Sequence, residues 1–139
     1  MYLRIQDALN VLETGFNIAG CIPFVSLFSG CLRALAGKVE MIAGIALATI
    51  GFIAFAITAD LKWQNIAVLG SELALHGTLN IIRGFGEAIL CASTIAGNLF
   101  LLIPNMTKDS KFSPYFEYGM LTGKTFLSGA LYQTEPRMR

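Results

Sequence analysis

Charge is scarce in this chain. Asp, Glu, Lys and Arg make up 14% of its 139 residues, against about 25% in soluble domains. A soluble domain of this length must cover its surface with polar groups, and the shortage disappears if much of the surface faces lipid. An excess of one sign is lacking too, because ten Lys and Arg stand against nine Asp and Glu. With no basic surplus to neutralise phosphates, nucleic-acid binding is not expected. A single histidine leaves most acid–base and metal schemes without their parts. No Ser/His/Asp set or paired-carboxylate site emerges. The chain therefore reads as non-enzymatic, with no catalytic residue, metal or cofactor expected.

Cysteine is limited to Cys21, Cys31 and Cys91, an odd number without C-x-x-C spacing. Such residues in apolar stretches fit small, reduced packing groups and not a disulfide framework or metal site. A cleaved leader is not expected either. Residues 24–31 are apolar and Ala34-Leu35-Ala36 imitates a cleavage site, but the preceding stretch carries Asp7 and Glu13 beside Arg4, the wrong balance for a signal peptide.

Long apolar runs are what the chain has, with 55% hydrophobic residues. Residues 14–32, 41–59 and 88–107 are free of charge. At about 1.5 Å per helical residue, each run approaches the roughly 30 Å of a bilayer core. Residues 65–83 are apolar overall but include Glu72 and His76. These runs predict an all-α fold, an integral membrane bundle of four transmembrane helices near 15–36, 41–59, 65–83 and 88–106. Connections at 37–40, 60–64 and 84–87 are short enough to make neighbouring helices antiparallel. The expected organisation is an amphipathic interfacial helix at 1–14, a first transmembrane hairpin at 15–59, a second at 60–107, and an aromatic-rich interfacial tail at 108–139. In the first segment Tyr2, Ile5, Leu9, Leu12 and Phe16 recur at helical spacing. Pro23 should kink the first span.

The two hairpins share a pattern. Gly30-x-Leu32-x-x-Leu35-x-Gly37-x-x-Glu40-x-Ile42 matches Gly77-x-Leu79-x-x-Ile82-x-Gly84-x-x-Glu87-x-Ile89 at a constant offset of 47. Each copy reads as a helix end, a glycine turn, and an acidic residue opening the next helix. Small-residue pairs at Ser26 and Gly30, Gly44 and Ala48, and Ser93 and Gly97 suit close helix packing in lipid. Most basic residues, Arg4, Lys62, Lys108, Lys111, Lys124, Arg137 and Arg139, fall on one side of this topology. Arg33, Lys38 and Arg83 fall on the other. That bias places both termini on the cytoplasmic side, with Trp63 as an interfacial anchor.

The sharpest polar feature is a stripe of Glu72, His76, Asn80, Arg83 and Glu87, which share one face of a continuous helix. Ionisable groups at membrane depth point to helix pairing or to an ion path. Structural pairing is preferred, with Glu72, His76 and Asn80 hydrogen-bonded within the bundle and Arg83 and Glu87 solvated at the hairpin turn; a surface helix and a proton path through Glu72 and His76 are the alternatives. The tail holds Phe112, Tyr115, Phe116, Tyr118, Phe126 and Tyr132, interface candidates for the membrane surface or a partner subunit. Residues 119–125 superficially resemble a phosphate loop. Only three residues separate Gly119 from Gly123 where the motif needs four, so no nucleotide is expected. The sequon Asn105-Met106-Thr107 is attributed to chance.

In outline, the paired short-loop hairpins resemble the bilobed hydrophobic domains of proteins that intracellular bacteria insert into host membranes. The resemblance carries no residue roles. The expected function is a structural or accessory subunit of a larger membrane-bound assembly, in contact with the bilayer and with other subunits. A proton or ion transport subunit and an inserted host-membrane protein are the alternatives.

Overall fold

The computed structural model describes residues 2–93, 101–108, 111–114 and 117–119. The described residues are helical, with no strand among them. Four helices follow in order: α1 Tyr2–Ala19, α2 Val25–Thr58, α3 Leu61–Ser93 and the short α4 Leu102–Met106.

A first helix is present, and α1 runs on past the expected boundary at 14 to Ala19. The chain then turns through residues 20–24, with Cys21 N–H donating to Ile18 O at 3.1 Å and Val25 N–H to Pro23 O at 2.9 Å. Pro23 does more than kink a span. It has no N–H to give and keeps its predecessor out of helical geometry, while Phe24 adopts φ 66°. The span expected at 15–36 is thus divided between two helices.

The largest difference lies in the glycine turns. The chain passes through both 37–40 and 84–87 as uninterrupted helix, so α2 has 34 residues and α3 has 33. Each reaches roughly 50 Å at about 1.5 Å per residue. The four-span bundle is therefore not what the described residues form. They form one long antiparallel hairpin of α2 and α3, and the pair of short hairpins behind the resemblance noted above is absent from them. Among the described residues, one helix, Val25–Thr58, is by length and composition apolar enough to cross a membrane, with a mean hydropathy of 2.3 over its best stretch.

The middle connection is a turn at Ala59 and Asp60, shorter than the expected 60–64 because α3 begins at Leu61. Ala59 takes a left-handed conformation and its N–H returns to Phe55 O at 2.8 Å. Asp60 Oδ1 then accepts the Lys62 N–H at 2.9 Å, satisfying one of the free donors that open α3.

Glycines hold the hairpin together by letting its backbones touch. Gly30, Gly37, Gly44 and Gly51 recur every seven residues in α2, and Gly70, Gly77 and Gly84 do so in α3. A seven-residue repeat keeps one stripe against a supercoiled partner. A Cβ on Gly37 would lie 2.6 Å from Gly77 O, and one on Gly44 would lie 2.7 Å from Gly70 O. The matched sequence pattern thus marks two heptad series facing each other, with Gly37 and Gly84 at the seam.

Burial runs opposite to that of a water-soluble protein. Among the described residues, the buried apolar side chains are Cys21, Ala67, Pro114 and Tyr118, whereas Arg33, Glu72, Glu87, Asn17 and Asn105 are almost fully enclosed. Large apolar groups face outward along both long helices, including Phe28, Val39, Phe52 and Ile57 on α2 and Ile82, Phe85 and Ile89 on α3. The three cysteines are free, with Cys21 buried and Cys31 exposed.

Candidate functional site

The polar groups inside the molecule gather where α1 and residues 111–114 and 117–119 lie against the hairpin. Three helices and the returning segment supply them. On α1, Asn10, Glu13 and Asn17 are spaced to share a face. The α2 helix contributes Arg33 and Glu40, and α3 contributes the whole stripe from Glu72 to Glu87.

Arg33 is the centre of one cluster. Its guanidinium, 0% exposed, donates through Nη1 to Glu87 Oε1. Through Nη2 it donates to Asn17 Oδ1 at 2.7 Å, to Glu13 O at 3.3 Å and to Glu13 Oε2 at 3.4 Å. The Phe16 ring lies 5.3 Å from the guanidinium carbon, within cation–π range. Arg83 Nε adds a bond to Glu87 Oε1 at 3.2 Å. Two arginines thus face two glutamates, and the charges balance inside the protein. Gly20 is part of this arrangement, because a Cβ there would meet Glu87 Cδ at 2.9 Å.

Tyr118 is the centre of a second cluster. Its hydroxyl donates to Glu40 Oε2 at 2.8 Å, and Asn80 Nδ2 donates to the same oxygen at 3.2 Å. The Tyr118 ring stacks on His76 with centroids 4.0 Å apart. Its N–H donates to Asn10 Oδ1 at 2.9 Å, and the next N–H, of Gly119, donates to Glu72 Oε1 at 2.6 Å. Gly119 has φ 92°, a conformation open to glycine that turns successive N–H groups toward different acceptors. Burial, then the neighbouring Glu40 carboxylate, raises the phenol above its ordinary value, so the hydroxyl stays a donor at any physiological pH.

The segment before Tyr118 is tied down as well. Asn17 Nδ2 donates to Phe112 O at 2.7 Å, where Phe112 holds φ 60°. Phe112 N–H donates to Asn105 O at 3.3 Å, and Asn105 Nδ2 to Leu101 O at 2.9 Å. Asn105 is 1% exposed, so the sequon is closed to any glycan.

The stripe read from the sequence does occupy one face of α3. Glu72, His76, Asn80 and Glu87 are buried and Arg83 is partly exposed. Arg83 bonds to Glu87, but no turn solvates the two: both stand inside the continuous α3, and Glu87 is buried. Glu72 and His76 are both taken by the returning segment, one by the Gly119 N–H and the other by the Tyr118 ring. Of the interface candidates, Tyr118 is enclosed by its own chain and Phe112 is half-buried; Tyr115, Phe116, Phe126 and Tyr132 lie outside the described residues. Sequence reasoning missed Arg33, Glu13, Glu40, Asn10 and Asn17. The available signal was the spacing of Asn10, Glu13 and Asn17, together with an arginine inside an apolar run.

Between the two clusters a cavity of about 280 Å³ opens, with Glu13, His76, Asn80 and Arg83 on its wall. Among the described residues, no group of three His, Cys, Asp or Glu side chains is placed to share a metal.

Replacing Tyr118 with phenylalanine should keep the stacking and remove the donor to Glu40. Hydrogen bonds to charged groups contribute about 1.5–3 kcal/mol. Amide exchange at Tyr118 and Gly119 should therefore speed up more than tenfold relative to α3. Unchanged exchange there would mean that the hydroxyl does not hold the segment. No family model, curated protein or solved structure matches the chain.

Proposed function

We propose that this chain is a non-catalytic integral membrane protein serving as a structural or accessory subunit of a larger membrane-bound assembly. The observation that carries the reading is the inverted burial: arginine, glutamate and asparagine inside, phenylalanine, isoleucine and leucine outside. Water would penalise that surface, whereas lipid tails accept it and favour satisfying polar groups internally. Small residues at the helix seam fit the same solvent, in which close packing holds helices together.

Length supports the assembly half of the reading. Helix α2 is roughly 51 Å long at about 1.5 Å per residue, and a bilayer core is about 30 Å thick. Outward apolar residues extend from Val25 to Ile57, beyond what one hydrocarbon layer covers. Headgroups or a neighbouring subunit must meet the remainder.

A single hairpin also rearranges the basic residues. Lys62 stands at the tip beside Asp60 and Trp63, while Arg33, Lys38, Arg83 and Lys108 stand toward the other end. That distribution favours a cytoplasmic location for the open end of the hairpin, where α2 begins and α3 ends. The capture of Glu72, His76 and Asn80 by the returning segment favours a packing role for the stripe over an ion path.

Labelling tests the membrane reading. In a background with the three cysteines replaced by alanine, Thr49→Cys should resist a membrane-impermeant maleimide in sealed vesicles and react after detergent is added. Asp60→Cys should react from one side. Free reaction of Thr49→Cys in sealed vesicles that retain the protein would reject the reading.

A further inference from the structure

The cavity between α1, α3 and Pro114 presents both signs of charge with hydrogen-bonding capacity to spare. Arg83 spends Nε on Glu87, and its two terminal nitrogens bond to nothing among the described residues; its side chain is 27% exposed. Glu13 touches Arg33 through Oε2 at the long distance of 3.4 Å, which leaves Oε1 without a partner among the described residues. His76 is held by stacking alone, and neither ring nitrogen has a hydrogen-bond partner among them. All three side chains line the same cavity, of about 280 Å³.

A simple anion drawn to Arg83 would meet the Glu13 carboxylate, and a simple cation drawn to Glu13 would meet Arg83. A ligand bearing both signs satisfies the two together. We propose that this cavity binds a zwitterionic phosphoamine, with its phosphate on Arg83 and His76 and its ammonium on Glu13, and that the group is the head of a phospholipid. A guanidinium offers two parallel donors to phosphate oxygens, and an imidazole nitrogen adds a third contact. The ammonium supplies the unused Glu13 oxygen with a donor.

The remaining wall favours an amphiphile. Leu79, Ile82 and Pro114 line the cavity beside the polar groups. Ile82 is 64% exposed, and Phe85 and Ile89, also exposed, continue from it along α3 at the three- and four-residue steps of one helix face. An acyl chain leaving the cavity can follow that track. The lipid source rests on the membrane reading above; the zwitterion chemistry rests on the cavity alone.

The experiment uses the full chain in mild detergent, exposed to equal amounts of phosphatidylethanolamine, phosphatidylcholine and phosphatidylglycerol, with retained lipid measured by native mass spectrometry. Phosphatidylethanolamine should be retained about tenfold over phosphatidylglycerol, the effect of one charge-assisted hydrogen bond. Glu13→Gln should erase that preference. Leu79→Trp, which fills the cavity without altering charge, should abolish retention. Equal retention of phosphatidylethanolamine and phosphatidylglycerol, or retention indifferent to both substitutions, overturns the proposal. Soluble phosphoethanolamine is the second probe. Binding as tight as that of the lipid assigns the cavity to free phosphoamines, and much weaker binding assigns it to the headgroup; both keep the zwitterion chemistry. Extraction of the native chain by alkaline carbonate would reject the membrane reading separately, leaving the phosphoethanolamine measurement to decide the site.

Discussion

Leucine in place of Gly44 should part the two long helices. A Cβ at that position falls 2.7 Å from Gly70 O and 2.8 Å from Ala74 Cα. Both are backbone atoms, which cannot rotate aside as a flexible side chain would. Relief requires one whole helix to move away from the other, so the loss should exceed the usual overpacking range of about 1–3 kcal/mol. Separation should rise toward the about 8–10 Å of helices packed through ordinary side chains. Spin labels at the exposed positions Thr49 and Ser71, in the cysteine-free background, read that distance, and denaturant unfolding in detergent reads the stability. Ile45→Leu is the control, one residue along and 52% exposed. If Gly44→Leu matches this control in both distance and stability, the glycine seam is not what joins the hairpin.

The same glycines show why helix content was legible in the sequence and helix topology was not. A charge-free run announces a helix, because nothing in it competes for the backbone. Its ends are another matter. Arg33, Lys38 and Glu40 were read as marking a boundary, since charges usually sit where helices meet water. Here Arg33 is paired inside the protein, so the charge interrupts nothing and α2 continues through it. Gly37 and Gly84 were read as turns because glycine can reverse a chain. Glycine also lets two backbones touch, and a single match between two segments cannot separate the uses. The seven-residue spacing separates them: turns do not recur every two helical turns, whereas a packed seam must. The α3 stripe was legible because it depends only on the helical period. Its partners were not, because Arg33, Glu40 and Tyr118 reach it from elsewhere in the chain, and no local pattern encodes that meeting.

Arg33→Met should release α1 from the hairpin while leaving the hairpin paired. Among the described residues, Arg33 is the one whose side chain reaches Glu13 O, Glu13 Oε2, Asn17 Oδ1 and Glu87 Oε1 together. Methionine fills much of the space but satisfies none of these acceptors. Removing one member of a buried ionic cluster costs about 3–5 kcal/mol, largely because the opposite charges stay buried without compensation. Amide exchange in α1 should therefore rise by more than a hundredfold, on the scale of about 1.4 kcal/mol per factor of ten. The seam from Gly44 to Gly70 lies apart from the cluster and should stay protected. The double variant Arg33→Met/Glu87→Met distinguishes repair of a charge imbalance from simple loss of contacts. It removes one of the two carboxylates along with the cation, so Glu13 and the partly exposed Arg83 remain as one charge of each sign. Replacing a buried ion pair with apolar groups is commonly neutral or stabilising, so the double variant should regain most of the lost stability despite carrying one more substitution. A double variant weaker than Arg33→Met would show that the cluster acts through packing, of Arg33 on Phe16 and of Glu87 on Gly20. Unchanged α1 exchange in Arg33→Met would show that the cluster does not hold the helix at all.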